Sequence, residues 1–148
     1  MNNDGLFGGV NDLKYLFLDN IKEPFDNELL IKIQGASISK KKEYVSIGEK
    51  SFGPVKAITP DYGRKYAIFF KSYIAYFVQN ESFYLHYEHE EWVGGLICIY
   101  NKSNYLDYIK QNTVAEYILD EEIKHYSVNC SNHIIHIASI CDPQITRI

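Results

Sequence analysis

The stretch YAIFFKSYIAYFV, residues 66–78, decides the fold class. Tyr66, Ile68, Phe70, Ile74, Tyr76 and Val78 share one parity, and Ala67, Phe69, Tyr73, Ala75 and Phe77 share the other. Side chains of a strand alternate between faces, so both faces here are apolar, which places the stretch centrally in a sheet. Lys71 and Ser72 interrupt the run and mark a bend or a hairpin turn. Tyr and Phe favour strands because flat side chains pack on a pleated surface, and the chain holds 13 Tyr and 8 Phe. The expected class is α+β: a mainly antiparallel, curved β-sheet with one or two helices and a C-terminal β-hairpin.

Upstream, residues 28–39 alternate with period two: Leu29, Ile31 and Ile33 on one face, Leu30, Lys32 and Gln34 on the other. Shorter strands are expected at 13–18, 43–47 and 55–59. Pro24, Asp26 and Asn27 put a turn in 19–27, and Pro60-Asp61-Tyr62-Gly63 spells a second one that ends the 55–59 strand. Downstream, Gly94-Gly95 precedes a buried-looking strand at 96–100. Residues 101–112 read as the best helix, because the Ser103 oxygen can accept from a free first-turn amide and Tyr105, Leu106 and Ile109 form one apolar stripe. Residues 113–119 extend this helix or start another. Two strands at 125–129 and 133–139 form the terminal hairpin, and Pro143 ends the last strand. Residues 1–12, rich in glycine, are expected as a flexible N-terminal arm, with 13–148 as a single α+β domain.

With 46% hydrophobic and 23% charged residues, the 148-residue chain has the composition of one folded domain. Its net charge of −4 argues against a nucleic-acid partner, which calls for a basic face. The one dense basic run, Lys40-Lys41-Lys42, is followed at once by Glu43 and reads as a solvated turn between strands. Residues 1–10 have neither the basic start nor the apolar core of a signal peptide, and no apolar run reaches bilayer length. Together with three cysteines, an odd number suited to reduced thiols, this gives a cytoplasmic expectation with no membrane partner.

The segment from Tyr84 to Trp92 carries the candidate binding residues: Tyr84, His86, Tyr87, Glu88, Glu90, Glu91 and Trp92. If extended, it puts His86, Glu88 and Glu90 on one face. Aromatics interleaved with carboxylates suit a partner protein with a basic face. A metal or acid–base site there is outweighed, because His86-x-Glu88-His89 lacks the zincin spacing and a third ligand is not evident. Cys130-x-x-His133-x-x-His136, with Cys141 beyond, holds zinc-ligand residue types, but in a strand His133 and His136 point to opposite faces. A nucleophilic Cys98 or Cys130 reached by His125, His133 or His136 lacks a recognisable signature. Gly8-Gly9 and Gly94-Gly95 match no phosphate-binding pattern, and Asp120, Glu121 and Glu122 read as solvating a helix–strand junction. No catalytic residue, metal ligand or cofactor is therefore assigned.

Residues 72–83 (SYIAYFVQNESF), 99–109 (IYNKSNYLDYI) and 125–139 (HYSVNCSNHIIHIAS) resemble a family of small, largely uncharacterised bacterial cytosolic proteins. Some of these look like immunity proteins that neutralise a toxin. The resemblance implies a non-enzymatic protein-binding module whose partner is a basic toxin domain. The competing expectation is a small-molecule-binding protein or enzyme with a pocket between sheet and helix, in which His86, Glu88 and His125 are the first residues to test. A third is a homo-oligomer joined through exposed sheet edges, so the oligomeric state stays open.

Overall fold

The computed structural model describes residues 7 and 9–148, and at 39, 40, 41, 43 and 62 the backbone alone. The described residues form two antiparallel sheets and two short helices, the α+β class that the sequence predicts. The first sheet has the order β1-β2-β3-β9: β1 Leu16–Lys22, β2 Leu29–Ile47, β3 Lys50–Phe70 and β9 Gln144–Arg147. The second has the order β4-β8-β7-β6-β5: β4 Ala75–Asn80, β5 Glu91–Gly94, β6 Ile97–Lys102, β7 Lys124–Asn129 and β8 His133–Ser139. Helices α1 (Asn104–Asn112) and α2 (Ala115–Ile118) fall between β6 and β7.

The period-two face of β2, Leu29, Ile31 and Ile33, meets Tyr66, Ile68 and Phe70 of β3 in the core. Tyr126, Val128, Ile135 and Ile137 close that core from the second sheet. Phe70 and Tyr126 meet edge-on between the sheets, their centroids 5.3 Å apart, the arrangement aromatic quadrupoles favour. The β7–β8 turn locks onto the first sheet, where Ser131 donates to the Leu16 carbonyl and the Asn132 amide bonds both backbone groups of Leu18.

The run 66–78 is two strands in two sheets. β3 ends at Phe70, the chain crosses at 71–74, and β4 begins at Ala75. β3 is internal to its sheet, but β4 is an edge strand, so only the first half is central. Its apolar outer parity is explained by the groove described below.

Two turns read from the sequence are corrected. β1 continues through Lys22 into the stretch assigned to a turn, because its pairing with β2 runs to Lys22↔Leu30. Residues 60–63 do not stop a strand. The register jumps from Gln34↔Lys65 to Gly35↔Asp61, so three residues of β3 bulge out and the strand resumes. Asp61 organises that bulge, accepting from the Gly63 amide and the Arg64 guanidinium, which hold its carboxyl below the usual range. Strands 28–39 and 43–47 thus merge into β2, and 55–59 merges into β3. Beyond Gly35 and Asp61 these two form a two-stranded ribbon that closes at Gly48-Glu49.

Of the expected arm, residues 1–6 and 8 lie outside the described residues. The remainder is packed rather than loose: Phe7 and Val10 are buried in the core, and the Asn11 amide bonds both the N–H and C=O of Ile97. At the other end Pro143 precedes a strand instead of ending the last one, since β9 pairs with β3 from Phe69↔Gln144 to Tyr66↔Arg147.

Candidate functional site

The outer face of the second sheet is decided by parity. Tyr126, Val128, Ile135 and Ile137 point inward, so His125, Ser127, His136 and Ala138 point outward. The register sets Trp92 opposite Tyr100 and Tyr100 opposite His125, and in the adjacent row Cys98 opposite Ser127, Ser127 opposite His136 and His136 opposite Phe77. Small residues lie where a helix covers the sheet: Leu106 and Ile109 of α1 pack with Ala75 and Ala138. Large rings lie where it does not.

The uncovered part is an open groove of two adjoining hollows of about 330 and 310 Å³. Tyr84, Tyr100 and His136 line both. Trp92 and Cys98 belong to the first hollow, and Phe77, Tyr87, Tyr105 and His125 to the second. The rings are in contact along the floor: Trp92–Tyr100 at 5.8 Å, Tyr100–His125 stacked at 4.2 Å and His136–Phe77 stacked at 5.7 Å between centroids. Carboxylates contribute at either end, Glu81 in one hollow and Glu90 in the other.

A short polar chain runs beneath the rings. Ser103 Oγ lies 2.7 Å from His125 Nδ1, and His125 Nε2 lies 2.8 Å from His136 Nδ1. Burial lowers both imidazole pKa values, and a charge on His136 would lower that of His125 further, so the pair is neutral near pH 7. Each neutral ring carries one N–H. Nε2 of His136 has no hydrogen-bond partner among the described residues, and the buried hydroxyl of Tyr105, whose ring centroid lies 5.7 Å from that of His136, has none either. Ser103 is itself buried and accepts from the Leu106 amide at 3.0 Å, as the sequence predicts for the helix cap. That hydroxyl anchors the helix and His125; it does not face the groove as a nucleophile would.

The predicted binding residues divide. Tyr84, Tyr87, Glu90 and Trp92 line the groove. His86, Glu88 and Glu91 do not line it, and residues 84–90 are a loop rather than an extended strand, so His86, Glu88 and Glu90 lack a common strand face. His86 stands edge-on to Trp92 at 6.1 Å, Glu88 is exposed, and Glu91 is exposed opposite Lys102. The Glu90 carboxylate accepts from the Asn104 amide, and His89 Nε2 lies 2.8 Å from Asn104 Oδ1. The loop is thus tied to the positive end of α1. Gly94 makes the sharp bend beside the groove with φ of +110°, and a side chain there would collide with the Ile97 carbonyl.

The alternative chemistries are not assembled. His125 pairs with His136, not with a thiol. Cys98 Sγ donates to the Gly95 carbonyl, and burial pushes the Cys98 thiol up and the Cys130 thiol up to about 12. His133 pairs with Asn80 and His136 with Phe77 on opposite faces of β8, and among the described residues no three His, Cys, Asp or Glu side chains gather to hold a metal. Among the described residues no helix is long and apolar enough to cross a membrane.

Sequence reading missed Tyr100, Tyr105 and Phe77 as groove residues. It named His136 only as a zinc ligand and for the thiol pairing, and His125 only for the competing pocket and the thiol pairing. The available signal was the polar parity of the terminal hairpin, where His125, Ser127 and Asn129 alternate with Tyr126 and Val128.

Fold and groove define the class: an α+β protein of two stacked antiparallel sheets, with an open aromatic groove on the outer face of the second. Comparison of the chain with protein-family models, curated proteins and solved structures returns no match.

Proposed function

We propose that this chain is a non-enzymatic binding module whose working surface is the aromatic groove, and that its occupant is a basic, apolar segment of a protein partner. One observation carries the reading: five large apolar side chains that line one groove, Phe77, Tyr84, Leu85, Tyr87 and Trp92, stand exposed. Exposed apolar surface of this kind marks interaction sites. Trp and Tyr at the centre of an interface supply most of its energy, and the carboxylates Glu81, Glu88, Glu90 and Glu91 steer a cationic partner towards it. The immunity role is the specific form of this reading, with the partner a basic toxin domain.

Trp92 is the chain's single tryptophan, so its fluorescence reports on the groove directly. Titration with a synthetic peptide alternating lysine with valine and phenylalanine shifts Trp92 emission, whereas a glutamate-for-lysine analogue does not. Glu88→Gln with Glu91→Gln slows association and reduces its salt dependence. Equal responses to both peptides would refute the reading. Protection from a toxin encoded beside the gene tests the immunity form separately.

One observation favours a second reading, a small-molecule ligand. His136 Nε2 and the Tyr105 hydroxyl are polar groups at the groove floor without partners among the described residues, as in a site that orients a ligand. A thermal shift with small heteroaromatic compounds that His136→Phe abolishes, with no response to the cationic peptide, would select it.

A further inference from the structure

Among the described residues, the ribbon formed by residues 36–60 of β2 and β3 has no other strand beside it, since β1 pairs only as far as Gly35 and β9 only with 66–69. It reaches about 30 Å beyond the sheet at roughly 3.3 Å per residue. An isolated two-stranded hairpin is marginal in water, and this one is apolar on a face. Val45 opposes Phe52, Glu43 opposes Val55, Ile47 opposes Lys50, and Ile47 has the parity of Val45, so Val45, Ile47, Phe52 and Val55 share one side, with Lys50 at its tip. They are 46%, 68%, 51% and 42% exposed.

The ribbon is also the basic part of an acidic protein. Five lysines against two glutamates give residues 36–60 a charge of +3, which leaves −7 on the rest of the chain. A basic, apolar strip and an acidic, apolar groove therefore coexist in one molecule. They cannot readily meet within it. The ribbon continues the first sheet, whereas the groove lies on the face of the second sheet turned away from the first.

We propose that the ribbon of one copy docks in the aromatic groove of a second copy, so that two chains exchange ribbons around a twofold axis. The inference rests on the groove being the binding surface and names its occupant. Exchange closes the assembly, because each copy offers one ribbon and one groove. Two ribbons laid against each other would instead juxtapose like charges. Nucleic acid would leave the four apolar side chains unused and would meet the repulsion of the −7 body.

Sedimentation velocity of the full chain, from micromolar to hundreds of micromolar at low and high salt, tests it. The expected result is a dimer that salt weakens. Phe52→Asp, far from the core, weakens self-association roughly tenfold or more, with an unchanged circular dichroism spectrum. Trp92→Ala with Tyr84→Ala does the same. A mixture of the ribbon variant and the groove variant regains a heterodimer through the one intact contact. A monomeric wild type, or a dimer that neither change affects, overturns the inference. So does a dimer lost with the ribbon change alone, which means ribbon-to-ribbon pairing, and so does retention of duplex DNA abolished by Phe52→Asp. If the wild type is monomeric but the cationic peptide still shifts Trp92 emission, only the occupant is wrong. If the Tyr84 and Trp92 changes leave both self-association and capture of that peptide, followed by sedimentation, intact, the groove reading fails with it.

Discussion

At the scale of single residues, the His125–His136 pair makes stability depend on pH in a defined window. Both rings are neutral in the fold, because burial disfavours their charged forms. In the unfolded chain they take up protons near pH 6.5. Their contribution is therefore fully present above about pH 6.5 and is lost as pH falls below it, down to the lowered folded values, with a slope of up to about 1.4 kcal/mol per pH unit for each ring. Asp61 and Asp142 are held below the usual carboxylate range, so their contribution fades only under about pH 4. Urea midpoints measured between neutrality and about pH 5 should fall steadily, and His136→Asn should flatten that fall. The pairing was not legible in sequence. His125 and His136 are eleven residues apart, and only the β7–β8 register brings their outward parities together. The serine cap was legible, since an N-cap is a local rule that Ser103 satisfies through Leu106 three residues on.

At the scale of elements, local signals were read well where they acted locally. The period-two pattern of 29–33, the terminal hairpin and α1 all stand as the sequence predicts. The failures share a cause: a turn signal does not say whether the chain reverses or merely bulges. Pro60 to Gly63 has turn chemistry and makes a bulge, because strands on either side continue the same pairing. The 84–92 segment alternates aromatic and polar residues, yet it is mostly loop, held by Glu90 and His89 to the start of α1. At Gly94 the signal and the structure agree, and a positive φ next to a crowded carbonyl leaves no room for a Cβ. Gly94→Ala should cost more than about 1 kcal/mol in denaturant unfolding, and it should alter Trp92 emission by moving β5.

At the scale of the whole molecule, one sandwich core contrasts with a ribbon outside it. Phe70 is 1% exposed and packs on Tyr126 across the sheets, so Phe70→Ala should lower stability by about 3–5 kcal/mol. Phe52→Ala, on the ribbon, should leave the thermal midpoint of the monomer nearly unchanged. Paired melts by differential scanning calorimetry check both. The break at Lys71 and Ser72 was legible in 66–78, but not that it carries the chain into a second sheet: two apolar faces are equally the mark of a central strand and of an edge strand that lends one face to a groove. The crossing also governs synthesis. Among the described residues β4 bonds only to β8, and the free side of β3 only to β9. A nascent chain on the ribosome therefore carries two strands with unpaired backbone borders and uncovered apolar side chains until residues 133–147 have emerged, a state that invites chaperones and punishes stalled translation.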